Sequence, residues 1–417
     1  MENEFKIAII GAGISGLIAA QVLENNGFSP ILYEQTDRVG GRVKTDIMDG
    51  YQLDHGFQVL LDAYPMAQKY LDYEALNLQK FYSGASIYKN GKKLVIGDPL
   101  RNLSLLFPTL TSGIGTISDK YQILKLNTEL KKKSIEAIFD GTESTTLEYL
   151  KERGFSDEII HNFFKPFFTG IFLEEHLTTS SKMFEFIYKM FGTGYATLPA
   201  SGIGAIPDQL LSNLKRTKIH YNTEIESCED GKLIFKDIKP EWFDYIIIAT
   251  EGASLIPNMR NQDIAWKSCE TLYFTTPKTS DNRPLIGLIP NSDTLINNIF
   301  FHKTLTTVQS GPEELLSVTI VKSHNFSESE LIAHVKNELK TECGITDLKY
   351  LKTFTIKKAL PKLNNVAGNI SPSETRLTET IFLAGDYLLN GSLNAAMLSG
   401  ENAALGLIEI LNDKRNF

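Results

Sequence analysis

The sequence has few cysteines, no long apolar run and no excess of positive charge. Its 417 residues include only three cysteines, Cys228, Cys269 and Cys343, which lie far apart. An odd and scattered set of cysteines argues against a disulfide framework or a zinc site and is typical of a reducing compartment. We therefore expect no metal site and a cytoplasmic location.

The lack of excess positive charge and of long apolar runs also limits the partners that the protein is expected to bind. The net charge of −8 gives no reason to expect nucleic-acid binding. No run of about 20 apolar residues is present, so no helix is expected to span a membrane, and the start MENEFKIAII lacks the basic region of a signal peptide. The stretch LSLLFPTL at 103–110 could be a buried junction or a membrane-facing lip, so peripheral membrane contact stays open. The sequence does not define an oligomeric state.

Composition and length indicate a globular enzyme with more than one core. Hydrophobic residues make up 42% of the chain and charged residues 22%, which is typical of a folded protein. A chain of 417 residues exceeds one ordinary core, so two domains are expected. Residues 119–139 and 146–168 predict long helical stretches.

The N-terminal stretch predicts a strand, a tight turn, a helix and a second strand. Phe5–Ile10 is rich in isoleucine, as a buried parallel strand should be. Apolar residues at helical spacing continue over 14–24, Gly27 ends that helix, and Ile31–Tyr33 is the second strand.

A glycine pattern at this turn predicts a dinucleotide site. Gly11, Gly13 and Gly16 form G-x-G-x-x-G, whose glycines allow the turn, the approach of a pyrophosphate and close packing of helix on strand. Glu34 ends the second strand, where a carboxylate can accept hydrogen bonds from ribose hydroxyls. This motif alone does not choose between NAD and FAD.

The stretch EQTDRVGGRVKT at 34–45 resembles a signature of the flavin amine oxidase superfamily, which includes monoamine oxidases, protoporphyrinogen oxidase and phytoene desaturase. The resemblance implies that Gly40 and Gly41 approach the cofactor closely and that Arg42 partners the pyrophosphate. Arg38 could share that role or be a solvated loop charge.

Four further segments resemble the same superfamily in the same order. They are LDHGFQ (53–58) beneath the flavin ring, LPASGIGAIPDQL (198–210), the strand pair near Ile225 with FDYIIIAT, and FLAGDYLLNGSLNAAM. The resemblance implies that Asp386 meets the ribityl chain or a phosphate-side water. Backbone N–H groups near Leu393 and Asn394 would hold a flavin carbonyl, although Ser392 could simply cap an unliganded helix.

Taken together, the resemblance implies non-covalent FAD, because the C-terminal segment has no cysteine to link it. The residues expected to bind FAD are Gly11, Gly13, Ile14, Ser15, Gly16, Glu34, Gln35, Gly40, Gly41, Arg42, Gly56, Phe57, Gln58, Ile225, Ala249, Thr250, Gly385, Asp386, Gly391, Ser392, Leu393 and Asn394.

The expected fold class is α/β, with a Rossmann-like FAD-binding domain and an inserted α+β substrate domain, as in p-hydroxybenzoate hydroxylase. The FAD-binding domain is predicted to be discontinuous and to comprise residues 1–60, 199–262 and 371–417. The substrate domain is predicted to comprise 61–198 and 263–370.

The resemblance implies that flavin N5 accepts a hydride while the protein orients the substrate. His55 could act as an acid/base or orienting group, or could be a hydrogen-bonded structural histidine. Lys267 lies near the place of a lysine found in some amine oxidases, but its register is not fixed by the sequence. The phenylalanine-rich segments 162–172 and 184–195 could form a substrate tunnel or pack a core. Tyr64, Phe168 and Tyr195 are the expected lining residues.

Three classes of function remain open at this stage. The first is an FAD-dependent oxidoreductase that dehydrogenates an apolar small molecule, as a desaturase or protoporphyrinogen oxidase does, with amine oxidation as its alternative. The second is a flavin-dependent isomerase without net redox change. The third is a flavoprotein without catalysis.

Overall fold

The structure is a computed structural model that describes residues 5–97, 113–259, 263–277 and 281–415. The stretch LSLLFPTL falls outside the described residues. The strands are β1 Ile7–Ile10, β2 Ile31–Tyr33, β3 Thr45–Met48, β4 Tyr51–Asp54, β5 Leu60–Leu61, β6 Leu78–Lys80, β7 Gly84–Lys89, β8 Lys92–Gly97, β9 Ala196–Pro199, β10 Lys218–His220, β11 Ile225–Glu229, β12 Lys232–Phe235, β13 Glu241–Trp242, β14 Tyr245–Ile248, β15 Trp266–Thr276, β16 Ile286–Leu288, β17 Ile296–Phe301, β18 Glu314–Ile320, β19 Lys349–Pro361 and β20 Ile381–Leu383.

The helices concentrate between β8 and β9 and at the end of the chain. They are α1 Ile14–Asn25, α2 Pro65–Tyr70, α3 Ile117–Lys132, α4 Ile135–Phe139, α5 Thr146–Glu152, α6 Asp157–Ile159, α7 Lys165–Phe172, α8 Ser181–Thr193, α9 Ala205–Asn213, α10 Gly252–Leu255, α11 Glu328–Cys343 and α12 Leu393–Arg415, with a π-helical turn at Ile160–Phe164.

Neither long helical stretch predicted from the sequence is continuous. The first is broken between α3 and α4, where Ser134 leaves the helix and its side chain accepts a hydrogen bond from the N–H of Ala137. The second is broken at Gly154, whose φ of 79° does not belong to a right-handed helix. Local capping and one left-handed glycine thus override the helical spacing of the apolar residues.

A five-stranded parallel sheet carries the predicted nucleotide-binding motif. Its strand order is β10-β2-β1-β14-β20, and β1 lies at the centre with buried isoleucines on both faces. The strands come from three separated stretches of the chain. Because all five run in the same direction, the segments that follow β1, β2, β14 and β20 meet at one edge of the sheet.

A seven-stranded sheet, β19-β15-β18-β17-β16-β7-β8, forms the second layer. Asn90 and Gly91 connect β7 to β8 in a hairpin, with positive φ values of 52° and 72°. One face of this sheet packs against α11 through apolar side chains, among them Leu272, Leu316 and Val335. The other face borders a large cavity.

Candidate cofactor and substrate site

One cavity of about 1730 Å³ connects the edge of the parallel sheet with the inner face of the seven-stranded sheet. Pockets for single small ligands usually measure about 300–1,000 Å³. The cavity therefore has room for a large cofactor and a second molecule at once.

The first wall of the cavity is made by two glycine turns that lie side by side. Gly40 donates its N–H to the carbonyl of Ala12 at 2.9 Å, and Gly13 and Gly40 form a bridge between the two turns. A side chain on Gly13 would meet no atom within 4 Å, whereas one on Gly16 would lie 1.9 Å from the carbonyl oxygen of Gly11. Gly13 thus leaves open space towards the cavity, and Gly16 allows α1 to approach β1.

Glu34 is held in place at the end of β2. One carboxylate oxygen accepts the N–H of Ala12 at 2.8 Å, and the other accepts the N–H and the hydroxyl of Thr36 at 2.9 and 2.7 Å. The side chain is buried but borders the cavity. A carboxylate has about four acceptor positions, so Glu34 keeps capacity for a ligand hydroxyl.

Arg42 and Asp386 meet across the cavity wall. The Nη2 atom of Arg42 donates to Oδ1 of Asp386 at 2.5 Å, and its guanidinium lies 5.1 Å from the ring centre of Trp266. Glu251 accepts from the indole of Trp266 at 3.2 Å and from Lys358 at 2.6 Å. Arg42 and Lys358 thus each pair with a carboxylate, and all of these residues line the cavity in which a pyrophosphate is expected.

The segment Gly56–Gln58 joins the two halves of the cavity. Gln58 donates to the carbonyls of Arg42 and His55 at 2.9 and 2.8 Å. The ring of Phe57 lies 5.5 Å from that of Phe300 on β17. The residues predicted beneath the flavin ring therefore stand between the glycine turns and the seven-stranded sheet.

His55 borders the cavity, but its ring has protein partners. Its Nε2 lies 2.9 Å from a carboxylate oxygen of Asp46, and its ring packs 4.2 Å from that of Phe354. These contacts are those of the structural histidine that the sequence left open as an alternative. An acid/base role for His55 stays a prediction.

The start of α12 also borders the cavity. Gly391, Ser392 and Leu393 line it, and the hydroxyl of Ser392 accepts the N–H of Ala395 at 3.0 Å. Ser392 therefore caps the helix, as the simpler alternative expects. The side chain of Asn394 turns away and accepts the N–H of Met66 at 3.0 Å.

The structure brings most of the predicted cofactor residues to this cavity. Those that line it are Gly11, Gly13, Ile14, Ser15, Glu34, Gln35, Gly40, Gly41, Arg42, Gly56, Phe57, Gln58, Ile225, Ala249, Thr250, Gly385, Asp386, Gly391, Ser392 and Leu393. Two described residues of the predicted set, Gly16 and Asn394, are not part of the lining, because Gly16 packs against Gly11 and Ala249 and Asn394 packs against α2.

Aromatic side chains line the remainder of the cavity. Tyr64 and Phe168 border it as predicted, together with Phe163, Phe167, Phe172, Tyr188 and Phe191. Tyr195 does not, since its neighbours Gly194 and Ala196 face the cavity and its own ring lies beneath the ammonium of Lys80 at 4.8 Å. Successive side chains of an extended chain point to opposite sides, which explains this exception.

The phenylalanine-rich helices combine the two alternatives that the sequence allowed. Phe164, Phe168, Phe172 and Phe184 are almost fully buried and pack against one another. Phe163 and Phe167 stack with ring centres 5.5 Å apart and turn towards the cavity. The same helices therefore supply both a core and a cavity wall.

Lys267 also faces the cavity, although its register could not be assigned from the sequence. Its ammonium donates to the carbonyl of Phe172 at 2.8 Å and lies 3.3 Å from the hydroxyl of Thr179. Burial lowers the pKa of Lys267 below its ordinary value. Lys267 lies two residues before Cys269 on β15, and both border the cavity, as the alternation of side chains along a strand requires.

A parallel sheet with glycine turns at its edge, an acidic residue after its second strand and an adjoining cavity is the arrangement of a dinucleotide-binding fold. A family model described as flavin-containing amine oxidoreductase matches residues 14–408. The chain belongs to this family, and the resemblance stated from the sequence is confirmed.

Individual relatives agree with this assignment at low identity. Protoporphyrinogen oxidase 2 of Arabidopsis thaliana is 27% identical over 40% of this chain and 32% of its own length. An L-amino-acid oxidase of Naja atra is 29% identical over 53% of this chain and 47% of its own. The matches thus span about a third to a half of these curated relatives.

A solved structure shows the likeness over the whole chain. Cyclohexylamine oxidase from Brevibacterium oxydans IH-35A superposes with a TM-score of 0.70 over 98% of this chain and 100% of its own, at 15% identity. At that identity the likeness shows the fold alone, which is a mixed α/β fold of the flavin amine oxidase type.

The residues present fit FAD, the cofactor of the family. Gly13 opens onto free space, Glu34 keeps acceptor capacity, and Arg42 supplies a cation between them and Gly56–Gln58. In the described part of the chain, none of the helices is long and apolar enough to cross a membrane.

Proposed function

We propose that this chain is an FAD-dependent oxidoreductase that takes a hydride from an apolar small molecule. In this proposal residues 1–60, 199–262 and 371–417 form the FAD-binding domain, and 61–198 with 263–370 form the substrate domain, as in p-hydroxybenzoate hydroxylase. The observation that carries the proposal is the single cavity, lined at one end by the dinucleotide motif and at the other by aromatic rings.

The cofactor, when bound, supplies a flavin ring that accepts the hydride. The residues of this chain would bind and position it: Glu34 holds the adenosine ribose, Arg42 neutralises the pyrophosphate, and Gly56–Gln58 with the start of α12 border the ring. The aromatic wall, which includes Phe163 and Phe167, excludes water and orients the substrate.

The charges of the aromatic end favour a neutral substrate over an ammonium. Two carboxylates border it, and both have partners: Glu143 lies 3.6 Å from Lys182, and Glu148 accepts from Thr145 at the start of α5. Lys267 adds a cation to the same cavity. Among the residues that the structure describes, an ammonium would therefore find no unpaired carboxylate at this end of the cavity, and its desolvation would be costly. A desaturase-like or protoporphyrinogen-oxidase-like reaction fits this environment best.

Amine oxidation is the second candidate. The match to an L-amino-acid oxidase, which extends over 53% of this chain, favours it. An amine that enters as the neutral free base would escape the desolvation cost. Oxidation of an amine should therefore depend on the pH of the assay, which sets the fraction of the amine that is neutral.

Anaerobic reduction of the bound flavin tests the proposal. The protein is mixed without oxygen with protoporphyrinogen, with benzylamine or with L-leucine, and the loss of the visible flavin absorbance is followed. Bleaching by the tetrapyrrole alone supports the proposal, and bleaching by either amine alone supports the second candidate. An isomerase would need prereduced flavin, and a flavoprotein without catalysis would show no reaction.

Two variants make this experiment specific to the cavity. Phe167→Ala removes a ring from the cavity wall and should slow bleaching. Tyr195→Phe changes an aromatic residue that does not line the cavity and should leave the rate unchanged. Equal rates in both variants would contradict the assignment of the aromatic wall.

A further inference from the structure

The two faces of the seven-stranded sheet differ in polarity although both are buried. The face that meets α11 is apolar, whereas the face that meets the cavity carries a row of polar side chains. Thr271 on β15 pairs with Thr319 on β18, which pairs with Asn298 on β17. All three side chains are at most 4% exposed, and two of them, Asn298 and Thr319, border the largely aromatic cavity.

Neighbouring contacts fix the orientation of the Asn298 amide. Asn297 donates its amide nitrogen to the carbonyl of Pro166 at 3.1 Å and to Oδ1 of Asn298 at 2.9 Å. The Oδ1 atom of Asn298 is therefore occupied, and its Nδ2 donates to the hydroxyl oxygen of Thr319 at 3.2 Å.

The series of hydrogen bonds from Asn297 through Asn298 to Thr319 ends in the Thr319 hydroxyl, which can donate its own hydrogen. The Thr319 oxygen accepts from Asn298, and among the residues that the structure describes it donates to no protein acceptor. A hydroxyl carries one donor hydrogen, and Asn298 and Thr319 both line the cavity. A buried donor without an acceptor costs free energy that a ligand acceptor would recover.

The position of this donor relative to the cofactor segment follows from β17. Phe300, two residues beyond Asn298 on the same strand, contacts the ring of Phe57. Two residues of a strand span roughly 7 Å, which is therefore the approximate distance along β17 between Asn298 and Phe300. At the other side, a side chain on Gly170 would lie 3.0 Å from Oδ1 of Asn298, so the glycine allows α7 to lie directly over the amide.

We propose that Thr319 and Asn298 form a hydrogen-bond donor subsite that selects an apolar substrate carrying one neutral acceptor, such as a carbonyl oxygen. This inference rests on the proposed function, because it assumes that the aromatic cavity holds the substrate. The acceptor is neutral because Lys267, a cation of the same cavity, already donates to Phe172 and to Thr179, and an unpaired carboxylate would lose its hydration.

The test compares two probes of nearly equal shape, 2-acetylnaphthalene and 2-isopropylnaphthalene, which differ in one carbonyl oxygen. Their dissociation constants for the FAD-loaded protein are measured by calorimetry and by the change in flavin absorbance. The wild type should prefer the acetyl probe about fivefold, the size of one net hydrogen bond. Thr319→Val should abolish the preference without weakening the isopropyl probe, and Thr319→Ser should keep it.

Thr271→Val serves as the matched control. It removes a hydroxyl from the adjacent strand in the same row, but Thr271 is not part of the cavity lining, so the preference should persist. If Thr319→Val does not fold, Thr319→Ala supplies the same comparison with a smaller side chain.

Two results would contradict the proposed subsite, and a third would also contradict the proposed function. The subsite is wrong if the wild type binds both probes equally, or if the preference survives removal of the Thr319 hydroxyl. If neither probe binds although FAD is present, the apolar substrate cavity itself is wrong, and the proposed function fails with it.

Discussion

The guanidinium of Arg42 donates to the carboxylate of Asp386 at 2.5 Å, and this contact joins two segments that lie 344 residues apart. The sequence assigned the two side chains to different parts of the cofactor, Arg42 to the pyrophosphate and Asp386 to the ribityl chain. Their direct contact means that one residue orients the other. Asp386 is nearly buried while Arg42 is partly exposed, so the carboxylate is the fixed member of the pair.

The Arg42–Asp386 pair should therefore act as a unit in FAD binding. Arg42→Met and Asp386→Asn should each weaken FAD by about tenfold or more, since a charge-assisted hydrogen bond contributes roughly 1.5–3 kcal/mol. The double variant should lose less than the sum of the two free energies. The measurement is the FAD dissociation constant of all four proteins, and strict additivity would show that the two residues act independently.

Glu34→Ala should weaken FAD much more than FMN. The carboxylate is predicted to meet the adenosine ribose, which FMN lacks, and losing charge-assisted hydrogen bonds should weaken FAD at least tenfold. Because Glu34 also braces Ala12 and Thr36, FMN affinity serves as the control for local damage. An equal loss for both flavins would assign Glu34 a structural role only.

Asp54 should make stability fall as the pH rises through the weakly acidic range. Burial raises the pKa of Asp54 from 3.8 to about 6, although its oxygen accepts from Thr45 and from the N–H of Ile203. The unfolded chain releases this proton first, so stability is fully present below about pH 4 and is lost progressively up to about pH 6.

Asp54→Asn should remove that loss. The amide oxygen can still accept from Thr45 and Ile203, and the gain in the free energy of unfolding should reach about 3 kcal/mol above pH 6. Denaturant unfolding of both proteins between pH 4 and 7.5 measures the difference. A difference that does not change with pH would mean that Asp54 titrates normally in the folded protein.

Asn394→Asp should lower the reduction potential of the bound flavin. The start of α12 borders the cavity, and its positive end should stabilise negative charge on the ring by about 0.3–1 kcal/mol, up to ~2 when partly buried. For a two-electron couple this is on the order of tens of millivolts. The carboxylate can still accept from Met66, so the fold and FAD content should persist. An unchanged potential in the FAD-loaded variant would show that charge in the first turn of α12 does not act on the ring.

The nucleotide-binding elements could be predicted from the sequence because their determinants are local. The isoleucines of β1, the glycines that follow and the end of α1 before Gly27 all lie within a short stretch, and the observed elements agree with the prediction. That Glu34, Arg42 and Asp386 belong to one site could be predicted only from the resemblance to the family. Parallel strands bring the ends of elements together but do not fix the positions of individual side chains.

The substrate end was far less predictable because it depends on pairing between distant strands. Thr271, Thr319 and Asn298 come from three strands, and only the observed register places them in one row. The orientation of Lys267 depends on which face of β15 borders the cavity, and the exclusion of Tyr195 depends on where β9 begins. None of these features leaves a periodic pattern in one sequence.

A crystal structure of the protein with FAD and 2-acetylnaphthalene tests the central claim most directly. The account predicts density for the adenosine beside Glu34 and Ile225, for the flavin ring between Gly56–Gln58 and the start of α12, and for the naphthalene against Phe167. Density for FAD in another orientation, or for the naphthalene outside the aromatic end of the cavity, would contradict it.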